Sequence, residues 1–171
     1  MKRIHILGRK NHGKTTLVVE LVQRLTALGL RVGTIKHTHH AHELDTPGKD
    51  SHRHRIAGAS VVGILSPTLN AVFWPPDADQ PPGVDRYAAF APHFAPCDVV
   101  LVEGDTLAAG VKVEVWRQAI GGEPLAAGNQ TIAAVITDDA PNVSAPLWPR
   151  NDLATTAQRM LTLVGVSIRK A

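Results

Sequence analysis

A single cysteine, Cys97, stands in the chain, so no internal disulfide can form and no Cys-x-x-Cys pair offers a thiolate zinc site. Its thiol reads as a small buried hydrophobe. Aromatic residues make up only 4% of the sequence, which leaves few platforms for stacking unpaired bases. The formal charge of +3 is mild and the basic residues are scattered, so no nucleic-acid partner is expected. Long hydrophobic runs are also missing: none approaches the roughly 20 residues that cross a bilayer. Met1-Lys2-Arg3 leads directly into a strand pattern without a signal-peptide core, so a cytoplasmic protein with no membrane partner is expected.

What is present has the balance of an ordinary folded domain, 44% hydrophobic and 19% charged. At 171 residues one core suffices, and residues 1–171 are expected to form a single domain. Ile4 to Leu7 is a short apolar run ending in glycine, followed by Leu17, Leu21, Leu25 and Leu28 at helical spacing with Gly29 as the stop. Leu30 to Ile35 predicts a second strand, and His37 to Lys49 a loop of functional length before a short helix from Ser51 to Gly58. Ser60 to Leu65 and Leu69 to Trp74 flank Ser66-Pro67-Thr68, the pattern of a hairpin. Prolines 75, 76, 81 and 82 mark an exposed excursion, and a helix is expected near Asp85 to Phe94.

The run from Asp98 to Gly104 reads as a strand buried on both faces. Val111 to Trp116 and Thr131 to Thr137 read as further strands, and Leu153, Ala157, Met160, Leu161 and Val164 as a last helix capped by Asn151 or Asp152. Strands alternating with helices predict an α/β fold with ligands at the carboxyl ends of a mostly parallel sheet, to which an antiparallel hairpin is added.

Gly8-Arg9-Lys10-Asn11-His12-Gly13-Lys14-Thr15 matches the phosphate-loop pattern G-x-x-x-x-G-K-S/T, with a strand before it and a helix after it. The glycines let successive N–H groups turn inward and the helix start adds its positive dipole end, so a triphosphate is expected on Gly8 to Thr16. This predicts the three-layer fold of P-loop nucleotide-binding proteins. Lys14 should reach the β- and γ-phosphates, and the Thr15 hydroxyl should ligate Mg²⁺.

Such a site needs a carboxylate on a neighbouring strand. Parallel strands bring Glu103 to the edge of the phosphate loop, whereas Asp98 lies roughly 16 Å back at about 3.3 Å per residue. Glu103 is therefore the candidate for metal and water, and Gly104 lets the backbone approach a γ-phosphate. Asp45 and Asp50 are further metal candidates, or else solvated loop carboxylates. Lys36, at the end of the second strand, points to the same edge as a candidate phosphate contact. Guanine offers N1–H and N2–H₂ to a single carboxylate, which Asp138 or Asp139 could supply, although Asp before Ala140-Pro141 is also an ordinary turn signal.

Six of nine histidines, 37, 39, 40, 42, 52 and 54, crowd one window. Metal binding, contact with phosphate or a partner, and a solvated polar loop all stay open for them.

The phosphate loop through Thr16-Leu17, then Gly33-Thr34-Ile35-Lys36-His37, Thr46-Pro47-Gly48-Lys49-Asp50-Ser51 and Ala57-Gly58-Ala59 resemble the molybdopterin-guanine dinucleotide biosynthesis adaptor family. Val100 to Gly104, Lys112 to Val115 with Arg117, and Ala134 to Asp138 extend the likeness over most of the chain. The resemblance implies a GTP-binding, weakly GTP-hydrolysing homodimer using Mg²⁺. Its partner would be the molybdenum cofactor guanylyltransferase, which joins a GMP unit to molybdopterin, and molybdopterin itself is a candidate ligand. The likeness of fold to dethiobiotin synthetase, with its Glu-Gly pair, supports Glu103. Two departures stand out: His12 replaces a smaller residue, and Asp105-Thr106 replaces an aromatic-lysine pair, leaving Lys112 as the basic residue. The competing readings are a nickel- or zinc-delivery GTPase and a small-molecule kinase or ligase of the same fold.

Overall fold

The computed structural model describes residues 1–77 and 83–168. Pro81 and Pro82 of the proline-rich excursion lie outside the described residues. In chain order the elements are β1 (Arg3–Leu7), α1 (Lys14–Ala27), β2 (Val32–Lys36), α2 (Asp50–Ile56), β3 (Val62–Ile64), β4 (Ala71–Phe73), α3 (Ala91–Phe94), β5 (Val99–Glu103), β6 (Val111–Val115), β7 (Ile132–Ile136), β8 (Leu147–Trp148) and α4 (Leu153–Leu163). They fall into two compact units, Met1–Thr38 with Tyr87–Ala171, and His39–Arg86.

The first unit is built on a six-stranded parallel sheet in the order β2-β5-β1-β6-β7-β8. Alternation along the strands sends Ile4, Ile6, Val99, Leu101, Val113, Val115, Ala134 and Ile136 to one face, where Leu17, Leu21 and Leu25 of α1 and Ala157, Met160 and Leu161 of α4 cover them. Burying each such leucine or isoleucine contributes about 1.5–3 kcal/mol. Val100 and Val102 turn to the other face, with Tyr87, Phe94 and the partly buried Cys97. Leu7, Trp116, Ala126, Ile132 and Val135 form a third cluster. Both faces of β5 are thus covered, which is why its sequence is apolar without alternation.

Both long helices end alike. Gly29, at φ +79°, lets the Gly29 amide return to the Thr26 carbonyl and the Leu30 amide to that of Leu25. Gly165, at φ +63°, does the same for α4 through Thr162 and Leu161. Of the two cap candidates for α4, Asp152 accepts from the Thr155 amide at 3.0 Å. The helix expected near residues 85–94 is instead a 3-10 turn, Arg86–Phe90, followed by the single turn α3. β8 had no counterpart in the sequence reading: two residues carry no periodicity, and Leu147 and Trp148 are held by the register of β7.

In the second unit β3 and β4 form an antiparallel hairpin, with Val62 opposite Phe73 and Ile64 opposite Ala71. Its turn closes where the Leu69 amide donates to Ser66 Oγ at 2.9 Å. This hairpin is a sheet of its own. α2 buries none of its residues, and among the described residues of this unit Val62 is the one hydrophobic side chain fully buried.

Candidate functional site

β1 delivers the chain into a turn that only glycine fits. Gly8 has φ +140°, and a Cβ there would lie 2.5 Å from the Val115 carbonyl oxygen. Asn11 at φ +67° and Gly13 at φ +98° bend the loop further before α1 begins at Lys14. Lys10 and Thr16 are exposed at the loop and at the first helical turn.

The Lys14 ammonium crosses the loop and donates to the Arg9 carbonyl at 2.9 Å. Burial lowers its pKa from the ordinary value; Glu103 opposes the shift and Lys36 adds to it. One residue on, the Thr15 hydroxyl donates to Glu103 Oε1 at 2.8 Å. The strand registers explain the meeting: Glu103 lies opposite Ile6 on one side and Lys36 on the other, at the carboxyl edge of the sheet. Lys14, Thr15, Lys36 and Glu103 therefore share one corner. Gly104, at φ +91°, turns the chain there and donates to the Ile6 carbonyl at 2.9 Å. Asp98 sits at the far end of β5, accepting from the Arg31 amide at 2.7 Å.

A second set of contacts wraps the loop from the β6 side. His12 is buried, and its Nδ1 accepts from the Arg117 amide at 3.0 Å while its ring lies 6.5 Å from that of Trp116. Burial lowers its pKa, Arg117 and Lys14 lower it further, and a hydrogen bond to the Gly121 backbone works the other way. The histidine that departs from the family resemblance thus bolts the loop to the protein, and its side chain is turned inward. The Arg117 guanidinium donates to the Asn11 carbonyl, and Arg9 Nε to the Glu123 carbonyl at 3.1 Å. Trp116 Nε1 holds the Gly122 carbonyl at 2.9 Å.

Asp139 accepts from the Gln118 amide at 2.8 Å, and Asp138 from the Asn151 amide at 3.0 Å. From the end of β7 the two carboxylates thus brace, with one oxygen each, the loop after β6 and the loop before α4. Asp45 and Asp50 belong to the second unit: Asp45 accepts from the Thr46 amide at 2.8 Å and the Ser51 hydroxyl at 2.9 Å, and Asp50 lies 3.9 Å from Arg53. Both interactions are local to that unit.

The histidine window does not converge. His40 and His42 have rings 5.5 Å apart, and His52 lies 3.6 Å from Glu43. Among the described residues no group of three or more His, Cys, Asp or Glu is placed to hold a metal ion.

The other departure has a structural account. Asp105, buried at φ +68°, accepts from the Tyr87 hydroxyl at 2.7 Å and from the Leu107 and Ala108 amides at 3.3 and 3.1 Å. Lys112 is buried opposite His5, back from the loop edge, and donates to Thr131 Oγ1 at 3.3 Å. Sequence reasoning gave no role to Glu114. It is fully buried, and its two oxygens accept from the Leu125 and Ala126 amides at 2.8 and 2.9 Å. Burial raises its pKa against those two bonds and the nearby Arg9.

A sequence model of the family described as "Molybdopterin guanine dinucleotide synthesis protein B" matches residues 3–138. The chain is 34% identical over 144 residues to the molybdopterin-guanine dinucleotide biosynthesis adapter protein of Escherichia coli, covering 82% of this chain and 81% of that one. It is 35% identical over 133 residues to the protein of the same description in Haemophilus influenzae, covering 78% and 72%. In structure it is similar to the MobB protein homolog of Bacillus stearothermophilus, with a TM-score of 0.65 at 24% identity over 98% of this chain and all of that one. No helix among the described residues is long and apolar enough to cross a membrane.

Proposed function

The chain belongs to the molybdopterin guanine dinucleotide synthesis protein B family, and from that membership we propose a GTP-binding adaptor in molybdenum cofactor biosynthesis with weak GTPase activity. It assists a guanylyltransferase that attaches GMP to molybdopterin, and it acts in the cytoplasm.

The observation that carries this reading is the corner where Lys14, Thr15 and Glu103 meet under a glycine-bent loop. The backbone amides from Arg9 to Thr16 and the Lys14 ammonium bind the phosphates, and Lys36 adds a second cation. Thr15 and Glu103 would hold Mg²⁺. Two hard oxygens already 2.8 Å apart are the donor set that ion prefers, so the residues fit it. Bound there, the ion would neutralise charge on the β- and γ-phosphates. Glu103 also accepts a hydrogen from water beside Gly104. Turnover is slow, since among the described residues converging on this corner none is a glutamine that orients water. Asp138 or Asp139 accepts the guanine N1–H and N2–H₂ together on its carboxylate, whose bracing oxygen keeps a second lone pair.

With the family membership goes the proposal of a homodimer with protein and pterin partners. The test is reconstitution. Purified chain added with GTP and Mg²⁺ to the guanylyltransferase, molybdenum and molybdopterin should raise the yield of the guanine dinucleotide cofactor, and Lys14→Ala should abolish the gain. Equal yields with and without the chain would defeat the reading.

A further inference from the structure

The two sides of the phosphate loop differ chemically. On the β5 and β2 side stand Glu103 and Lys36, with Thr15 bonded to Glu103. On the β6 and β7 side stands Arg117, whose neighbour Gln118 is bonded through its amide to Asp139. A triphosphate lying along the loop with its metal-bound end at Glu103 must leave with its nucleoside toward β6 and β7, because β1 and its loop separate the two sides.

Arg117 is built into that second side at both ends. Its amide donates to His12 Nδ1 at 3.0 Å, and its guanidinium donates to the Asn11 carbonyl. Its Nε lies 3.9 Å from the place a Cβ on Gly13 would occupy, so the group runs along the loop itself. Arg117 is nonetheless exposed. A planar cation fixed at one edge presents an open face, and guanidinium is weakly hydrated on its faces and stacks on aromatic rings.

We propose that Arg117 is the base platform of this site: its guanidinium stacks on the purine ring of the bound nucleotide while Asp139, held beside it through Gln118, meets the ring edge. The proposal rests on the nucleotide reading above and adds a residue for which the phosphate motif gives no signal. It also excludes a role for Arg117 on the γ-phosphate, which lies on the far side of the loop.

The experiment is a competition titration with Mg²⁺, using fluorescent GDP as the probe and GTP, GDP and inorganic tripolyphosphate as competitors. It compares the full-length chain with its Arg117→Ala, Arg117→Lys and Lys14→Ala variants. Arg117→Ala keeps the amide bond to His12, and thermal unfolding checks that each variant is folded. Loss of a stack should weaken GTP and GDP alike by about tenfold in Arg117→Ala, which corresponds to about 1.4 kcal/mol, whereas the lost bond to the Asn11 carbonyl should weaken tripolyphosphate by no more than about twofold. Arg117→Lys, which keeps the charge but not the plane, should recover only part of the loss. Equal weakening of tripolyphosphate, a larger effect on GTP than on GDP, full rescue by lysine, or no effect would each overturn the proposal. Failure of the unaltered chain to bind the probe would instead sink the nucleotide reading and this proposal with it.

Discussion

The Thr15 hydroxyl donates to the Glu103 carboxylate across 2.8 Å, joining the first turn of α1 to the last residue of β5. Glu103→Gln keeps an acceptor for that hydroxyl and removes the charge. The gain in GTP affinity conferred by Mg²⁺ should fall about tenfold, and metal-free affinity should hold. Titrations with Mg²⁺ and with EDTA measure both.

Gly8 meets the Val115 carbonyl where no side chain fits. Gly8→Ala adds a methyl group at a left-handed φ against backbone, which should cost about 2 kcal/mol or more of stability. Urea unfolding would register it, and nucleotide affinity should drop in parallel because the loop must move.

Glu114 takes both of its hydrogen bonds from the turn at Leu125 and Ala126. Glu114→Ala strands those two amides and opens a void, with an expected loss of about 3 kcal/mol. The midpoint of chemical denaturation tests it, and wild-type stability in the variant would refute the bracing role.

The phosphate loop, the helix behind it and the buried β5 strand were legible because each is a local pattern: spaced glycines, leucines at helical intervals, an unbroken apolar run. The place of Glu103 at the loop edge followed from parallel-strand geometry. His12, Arg117 and Glu114 did not, since their roles are contacts across the fold; His12 and Arg117 are 105 positions apart. Asp105, which stands where the resemblance has an aromatic residue, gave no sign of its role, because a buried turn-maker and an exposed polar residue are the same letter in a sequence.

His5 gives the fold an acid weakness. It is fully buried, edge-on to Tyr87 at 5.3 Å, and burial lowers its pKa below the ordinary 6.5; Arg3 and Lys112 add to the shift, while the Gly104 backbone and Asp105 oppose it. Between the folded and unfolded values the unfolded chain carries a proton that the folded chain does not. Stability therefore falls as pH drops below 6.5 toward the folded value, by at most about 1.4 kcal/mol per unit for this one group. Denaturation curves from pH 7.5 to 5 should show the decline, and His5→Leu should make it shallower, leaving the share of His12, whose pKa burial lowers in the same direction.

Nucleotide affinity is the most direct test of the whole account. Isothermal titration of the purified chain with GTP and with ATP, in Mg²⁺, should give saturable binding of GTP that exceeds that of ATP and disappears in Lys14→Ala. Equal binding by the Lys14→Ala variant, or none by the unaltered chain at millimolar nucleotide, would contradict it.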